Sequence, residues 1–448
     1  MPDRRQLNLN LFIYPDGHHE AAWRYREAEI GALTQLGWYQ ALAQRAEAAK
    51  MDAVFFADGP VLAQNIAFAP RFRLEPTTLL TGIAAATQRI GLIATASTTY
   101  HEPYNLARLF SSVDHLSGGR AGWNIVTTTD AGAAQNFGLP EHPPHAERYA
   151  RAEEFLEVVT ALWDSWEDDA VIADQASGRY ADPAKIHRLD HAGQFFKVRG
   201  PLNSPRSPQG RPVYVQAGSS EDGRGFAARW AEAIFTAHQT LDSAQEFYAD
   251  IKARAAGLGR RPEQVKVLPG LSPFIGGTEA EAKRLQAEFD ALVQPGYALQ
   301  QLGAILGVDV SREALDAPFP EHLIPRQGPR AAASRLQLVA GIVAREKPTL
   351  RELLHKLAGA RGHFVLAGTP EQIAGHIETW FTQGAADGFN IMPPWMPGGF
   401  HAFAAEVIPL LRRRGLFREE YTGTTLREHY GLDRPESLFA AGARRLAS

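Results

Sequence analysis

The amino-acid sequence predicts an α/β protein, a closed (β/α)8 TIM barrel with insertions after strands four and seven. Three observations carry that expectation. Short apolar runs alternate with helical patterns along most of the chain, as in parallel sheets whose strands are joined by helical crossovers. Eight such runs occur, near residues 7, 53, 90, 121, 213, 233, 265 and 388, and nearly all are followed by a helical pattern. Polar residues gather where the runs end, at the rim on which parallel α/β proteins keep their chemistry. On pattern alone, an open doubly wound sheet of similar content remains the alternative.

In chain order, a short strand near residue 7 leads into a polar and aromatic loop over 14–26. Residues 31–50 have helical periodicity, with Leu33, Leu36, Leu42 and Ala46 on one face. The run AVFFA at 53–57 reads as a buried strand stopped by Asp58-Gly59-Pro60. Pro76 opens a helix, as proline does at a first turn. The third strand follows at 90–95, a helix at 103–116, and the fourth strand at 121–127. A long helix over 147–163 precedes the first insertion, about 168–211, rich in Asp, Gly, Pro and Ser. Strands at 213–216, 233–236 and 265–274 alternate with helices at 223–230, 243–257 and 278–292. The second insertion, about 293–362, breaks the alternation with proline-rich turns and at least one helix, 330–345. A helix at 370–383, the last strand at 388–392 and a helix at 401–413 complete the pattern. The tail from Arg418 is expected to be irregular and to lie on the surface or on another subunit. Residues 1–448 are thus expected to form a single barrel domain.

Composition narrows the function. At 448 residues, 45% hydrophobic and 21% charged, the chain can bury a large core and is not of disordered type. A net charge of -4 gives no basic footprint for nucleic acid or anionic lipid. Arg412-Arg413-Arg414 is a short cationic cluster, read as a solvated helix end. The absence of cysteine excludes disulfides, thiolate metal sites and Cys nucleophiles. No apolar run approaches the ~20 residues that span a bilayer, and the N-terminus lacks a signal-like segment, so a soluble cytoplasmic protein is expected.

Reading the residues after each strand gives the expected rim: Asp58, then Thr95 and Ser97, then Asn124, Thr127 and Thr128, then Gly218-Ser219-Ser220. Paired carboxylates are few, which argues against glycoside hydrolysis. Gly218 to Gly223 joins a strand to a helix, where small residues suit either a phosphate cradle or a plain N-cap. His145 and Tyr149 are four apart at the start of a helix and share a face. They suit either ligand contact or an N-cap histidine beside a packed tyrosine. His18-His19 and His142 with His145 lack metal-ligand spacing, so no metal is expected. Trp23 suits a substrate entrance or simple packing. No GxGxxG, GxxxxGK[ST] or GxSxG is present.

The string LARLFSSVDHLSGGRAGWNIVTT at 106–128 closely resembles the flavin-dependent monooxygenases of the bacterial luciferase superfamily. The likeness is to the branch of nitrilotriacetate monooxygenase component A, pristinamycin synthase and dibenzothiophene-sulfone monooxygenase. It continues through HAERYARAEEF at 145–155, VYVQAGSSEDGRGFAARWAEAIF at 213–235 and GTPEQIAGHIETWFTQGAADGFNIMPP at 368–394. The resemblance implies a luciferase-type barrel rather than an open sheet. It implies FMN contacts at Asp58, Thr95, His145, Tyr149, Ser219 and Ser220, with the serines at the phosphate and Asn124 near the ring. His145 and Asn124 become the expected catalytic residues. The implied activity is two-component: a separate NAD(P)H:flavin reductase supplies reduced FMN, which with O2 forms a flavin C4a-hydroperoxide that oxygenates a small organic substrate. A homodimer or homotetramer is usual in such families. An F420-dependent hydride-transfer enzyme and a non-catalytic FMN-binding barrel are the alternatives.

Overall fold

The computed structural model describes residues 5–62, 66–70, 72–218, 220–325 and 333–440. Every expected strand position holds a strand, and the eight close into a parallel barrel. They are β1 (Asn8–Phe12), β2 (Ala53–Phe56), β3 (Gly91–Ser97), β4 (Ala121–Val126), β5 (Val213–Gln216), β6 (Ala233–Thr236), β7 (Lys266–Ile275) and, after one further strand β8 (Phe364–Gly368), β9 (Gly388–Ile391). Pairing runs from β1 through β6 in order, then β7, then β9, and returns to β1. The strand the sequence reading missed, β8, pairs with the second half of β7, from Leu271 to Ile275. The first half of β7 stays in the barrel, where Gly270 and Leu271 face Asn390 and Ile391 of β9.

Side chains alternate across each strand with period two. On β3, Ile93 packs inward with Phe55, Val215 and Leu268, while Leu92 and Ala94 face the helices. On β4, Trp123 and Ile125 join the outer layer. Thr95 and Asn124 therefore fall on the inward face, near the end of the barrel where the strands finish.

Several helices start earlier or later than expected. Residues 31–50 give a helix over Leu36–Ala48 (α1) only, after a 3-10 turn at Ile30–Ala32. Leu36 is 44% exposed, whereas Leu42 and Ala46 are buried. The long helix runs from His145 to Trp163 (α2), and the one after β5 covers Glu221–Trp230 (α3). Residues 168–211 hold two small hairpins, pairing Val171–Asp174 with Arg179–Ala181 and His191–Ala192 with Lys197–Val198. Among the described residues, 293–362 carry the α-helices Pro295–Leu306 (α4), Ala333–Glu346 (α5) and Leu350–Ala360 (α6), around an apolar centre of their own. The start of the expected helix at 330 lies outside the described residues.

The tail corrects the expectation most. Between Arg418 and Leu432 its apolar side chains do not stay on the surface but close the end of the barrel where the strands begin, while Glu419, Glu420 and Glu428 remain exposed. Leu426, Tyr430 and Leu432 join the barrel interior. Arg418 donates to the buried Asp52 carboxylate at 2.6 Å, and the Tyr430 hydroxyl donates to Asn10 Oδ1 at 2.9 Å. Arg427 donates to both carboxylate oxygens of Glu232. Without the tail Asn10 Oδ1 would lose its donor, and the Asp52 and Glu232 carboxylates would keep N–H donors from the barrel but lose their arginines, which is why it is held there. Gly91 and Gly122 make room for Leu426, whose side chain fills the space a Cβ would need. The Arg412–Arg414 cluster is likewise more than a solvated helix end: Arg412 donates to the Ala49 carbonyl at 2.9 Å and Arg414 to Glu378 at 2.8 Å.

Candidate active site

With the tail closing one end, the opposite rim is left for chemistry. A cavity of about 550 Å³ opens there, lined by the loops after β1, β2, β4 and β5, by α2 and α3, and by α4 and α5 of the second insertion. A volume of this order suits a small-molecule or cofactor site.

Of the expected site residues, Asp58 and Tyr149 line this cavity directly, with Thr127, Thr128 and Asp130. Asp58 is held above the usual carboxylate range, first by burial; the Gly59 N–H and Arg73 oppose the shift. Thr95 and Asn124 are buried in the barrel mouth, paired across β3 and β4. Thr95 donates to the Phe56 carbonyl at 2.9 Å and accepts from Asn124 Nδ2 at 2.8 Å. The orientation of the Asn124 amide is thereby set, and its Oδ1 is buried without a partner among the described residues.

His145 and Tyr149 sit together at the start of α2, ring centroids 4.8 Å apart. His145 is the first helical residue, with Pro144 as N-cap, so the N-cap reading of this histidine does not hold. Its Nδ1 lies 3.1 Å from Asp222 Oδ2 in a half-exposed pair. Tyr149 packs edge-on against Phe226 of α3, and burial raises its phenol; a hydrogen bond with Ser220 acts the other way. Ser220 caps α3 by accepting from the Gly223 N–H at 3.1 Å. Two helix N-termini, of α2 and α3, therefore meet around His145, Tyr149 and Ser220. Their unpaired N–H groups favour an anion. Ser219 lies outside the described residues.

The expected histidine pairs separate. His18 bonds to the Phe12 carbonyl at 2.9 Å while His19 turns toward Asp290. His142 bonds to the Tyr100 hydroxyl at 2.7 Å and contacts Arg148, away from His145. Among the described residues, no three side chains of metal-binding type gather.

Sequence reasoning missed other lining residues. Gln216, the last residue of β5, is buried with Oε1 unpartnered among the described residues. It and Tyr14, just past β1, satisfy the same strand-end rule that found Asp58, so the signal was there to apply. Arg73, Arg361, Glu20 and Tyr297 come from loops and the second insertion, where no strand-end rule points.

Comparison with known proteins decides the family. The luciferase-like monooxygenase family matches residues 18–387. The chain belongs to the luciferase-like monooxygenases. It is 47% identical to the N-acetyl-S-(2-succino)cysteine monooxygenase of Bacillus subtilis (strain 168), over 98% of this chain and 99% of that one. It is 45% identical to nitrilotriacetate monooxygenase component A of Aminobacter aminovorans, again over 98% and 99%. Among solved structures, the EDTA monooxygenase from Chelativorans sp. BNC1 superposes with a TM-score of 0.80 at 36% identity, covering 97% of this chain and all of that one. The luciferase-like barrel and the branch expected from the sequence are both borne out. The protein is a flavin-dependent monooxygenase by this kinship. Among the described residues, no helix is long and apolar enough to cross a membrane.

Proposed function

We propose that this luciferase-like monooxygenase is the oxygenating half of a two-component system, taking reduced FMN from a separate cytoplasmic NAD(P)H:flavin reductase. The observation that carries the reading is the cavity at the strand-end rim, running between the α2–α3 helix starts and the second insertion. Its chemistry fits the cofactor at both ends. The phosphate would be held by Ser220, Tyr149 and His145, with Ser219, at the two helix N-termini. Asn124 and Gln216 offer buried carbonyl oxygens without donors among the described residues, and a reduced isoalloxazine carries N–H groups to supply them. When bound, reduced FMN supplies the electrons that activate O2, so that one oxygen atom enters the substrate and the other leaves as water.

The protein's own part is positioning and exclusion of water. Thr95 locks the Asn124 amide in one orientation, so that its oxygen is presented without reorganisation. Asp58 brings a carboxyl to the cavity wall, raised above its usual range by burial against the opposing pull of the Gly59 N–H and Arg73. His145, close to Asp222, offers an imidazole at the rim for proton transfer. The test supplies a flavin reductase, NADH and FMN, and follows oxygen uptake over a panel of compounds for which relatives are named: N-acetyl-S-(2-succino)cysteine, nitrilotriacetate and dibenzothiophene sulfone. Label from 18O2 in the product is the expected result. Unchanged oxygen uptake and unlabelled compounds throughout, with FMN bound, would leave only a flavin-binding barrel.

A further inference from the structure

The second insertion holds an apolar space that the flavin site does not use. On α4, Ala298, Leu302 and Ile305 recur every three or four residues, and on α6 Leu354 and Leu357 do the same. Between these faces and Leu338 of α5 a recess of about 60 Å³ is left, with the short side chain of Ala298 on its lining. Ala298, Leu302 and Leu354 are buried in the apolar centre of the insertion. A space of this kind is not free, since the atoms around it forfeit contacts. Several of the polar side chains on its lining are engaged with partners of their own. Glu20 accepts from Arg361 Nε at 3.1 Å and from the Tyr297 hydroxyl at 3.2 Å, and Arg24 donates to the Leu292 carbonyl.

The recess has two ends. At the outer one stand Trp23 and Phe68, both partly exposed. The Trp23 indole donates to the Phe68 carbonyl at 2.9 Å, and the Phe68 ring lies 5.7 Å from that of Tyr297. At the inner end, Glu20, Tyr297, Gln301, Arg335 and Arg361 line both the recess and the strand-end cavity. An apolar space therefore lies between solvent and the cavity, on the side of the second insertion.

Size and chemistry select its occupant. The recess has less than half of the roughly 150 Å³ in which an apolar cavity holds benzene, so it is too small for an aromatic ring. Water is a poor occupant, because apolar walls do not return the hydrogen bonds it leaves behind. Dioxygen asks for no hydrogen bond and gains by leaving water for apolar surface. The oxygenation needs O2 in the adjoining cavity while flavin and organic substrate fill that cavity. We infer that the recess is a dioxygen site, taking O2 from solvent past Trp23 and Phe68 and passing it to the cavity beside Tyr297. The inference rests on the monooxygenase reading and names how the gaseous substrate reaches that same site.

The test joins xenon occupancy to the O2 dependence of flavin reoxidation. Crystals of the protein pressurised with xenon should show the atom among Ala298, Leu302 and Leu354, as in other dry apolar cavities. Ala298→Leu fills the recess without adding charge and should exclude it. With FMN bound and reduced in the absence of O2, mixing with oxygenated buffer should reoxidise the flavin about threefold to tenfold more slowly in Ala298→Leu at low O2. That range lies within what so small a ligand can gain from one apolar site. FMN affinity, and KM for whichever panel compound is turned over, should match the wild type. No xenon in the wild type would overturn the inference. So would reoxidation at the wild-type rate in a variant that excludes xenon. A raised KM for the organic compound with unchanged O2 dependence would also overturn it, by making the recess part of the organic-substrate pocket. Xenon binding and reoxidation need no organic substrate, so a panel without labelled product counts against the monooxygenase reading and leaves this one standing. If Ala298→Leu does not fold, Leu357→Phe fills the same recess from α6 and carries the comparison.

Discussion

Thr95 accepts from Asn124 and donates to the Phe56 carbonyl, so its one hydroxyl satisfies two buried groups. Thr95→Val keeps the shape and removes both bonds. It should cost about 1–3 kcal/mol in urea unfolding, the penalty for stranding buried polar groups, and should also weaken FMN binding. Thr95→Ser should restore most of each. His145 differs, because it is half-exposed and its pairing with Asp222 carries little stability. His145→Ala should therefore unfold within about 0.5 kcal/mol of the wild type. Its turnover with reduced FMN supplied directly should nevertheless fall about a hundredfold, the usual scale for a positioned proton-transfer group. Full retained turnover would remove His145 from the mechanism.

At the scale of elements, the tail is the piece whose role is set by what it covers. Arg427 bonds to both oxygens of Glu232 and to the Arg211 and Asp433 carbonyls. Truncating it leaves the buried Glu232 with the Tyr214 N–H and the field of Arg211 but without its ion-pair partner, so Arg427→Ala should lose about 3 kcal/mol by denaturant titration. Because the tail sits at the end of the barrel away from the cavity, FMN affinity below the unfolding transition should stay at the wild-type value. A smaller effect is expected at Gly91, where the added Cβ of Gly91→Ala meets the Leu426 side chain. Overpacking there should cost about 1–3 kcal/mol and should shrink when Leu426 is shortened in the same chain.

For the whole molecule, buried histidines set the response to acid. Burial pushes His363 down to about 3 and His376 and His238 down to about 4. Each is neutral when folded, and each binds a proton below about 6.5 once unfolded. Their contribution is complete above about pH 6.5 and is lost as pH falls through that value toward the folded pKa. By pH 5 each removes about 2 kcal/mol relative to neutral pH. Thermal unfolding followed from pH 7.5 to 5 should show a steady fall in Tm. His376, stacked on Phe364 and tilted against Trp380, isolates one share of it. In His376→Leu the slope of stability against pH should flatten by about 1 kcal/mol per pH unit between about pH 6.5 and 5.

The sequence by itself determined the barrel, because alternation of apolar runs with helical patterns is a local property that leaves few topologies once crossovers must be right-handed. It also determined the rim: Asp58, Thr95, Asn124, Tyr149 and Ser220 follow from where strands end and helices begin. Gln216 and Tyr14 obey the same rule and were open to the same reading. What only the tertiary structure decided depends on which distant segments meet. The short strand β8 is partly exposed and takes its pairing from the second half of β7, so its own pattern says little. The tail reads as irregular because its order comes from Asp52, Asn10 and Glu232 at the barrel's opening, not from any period of its own. Arg73 and Arg361, separated by most of the barrel in sequence, come together only because both reach the ring of Tyr14. Periodicity encodes which face of an element is buried; it carries no record of which side chains from other loops will stand opposite.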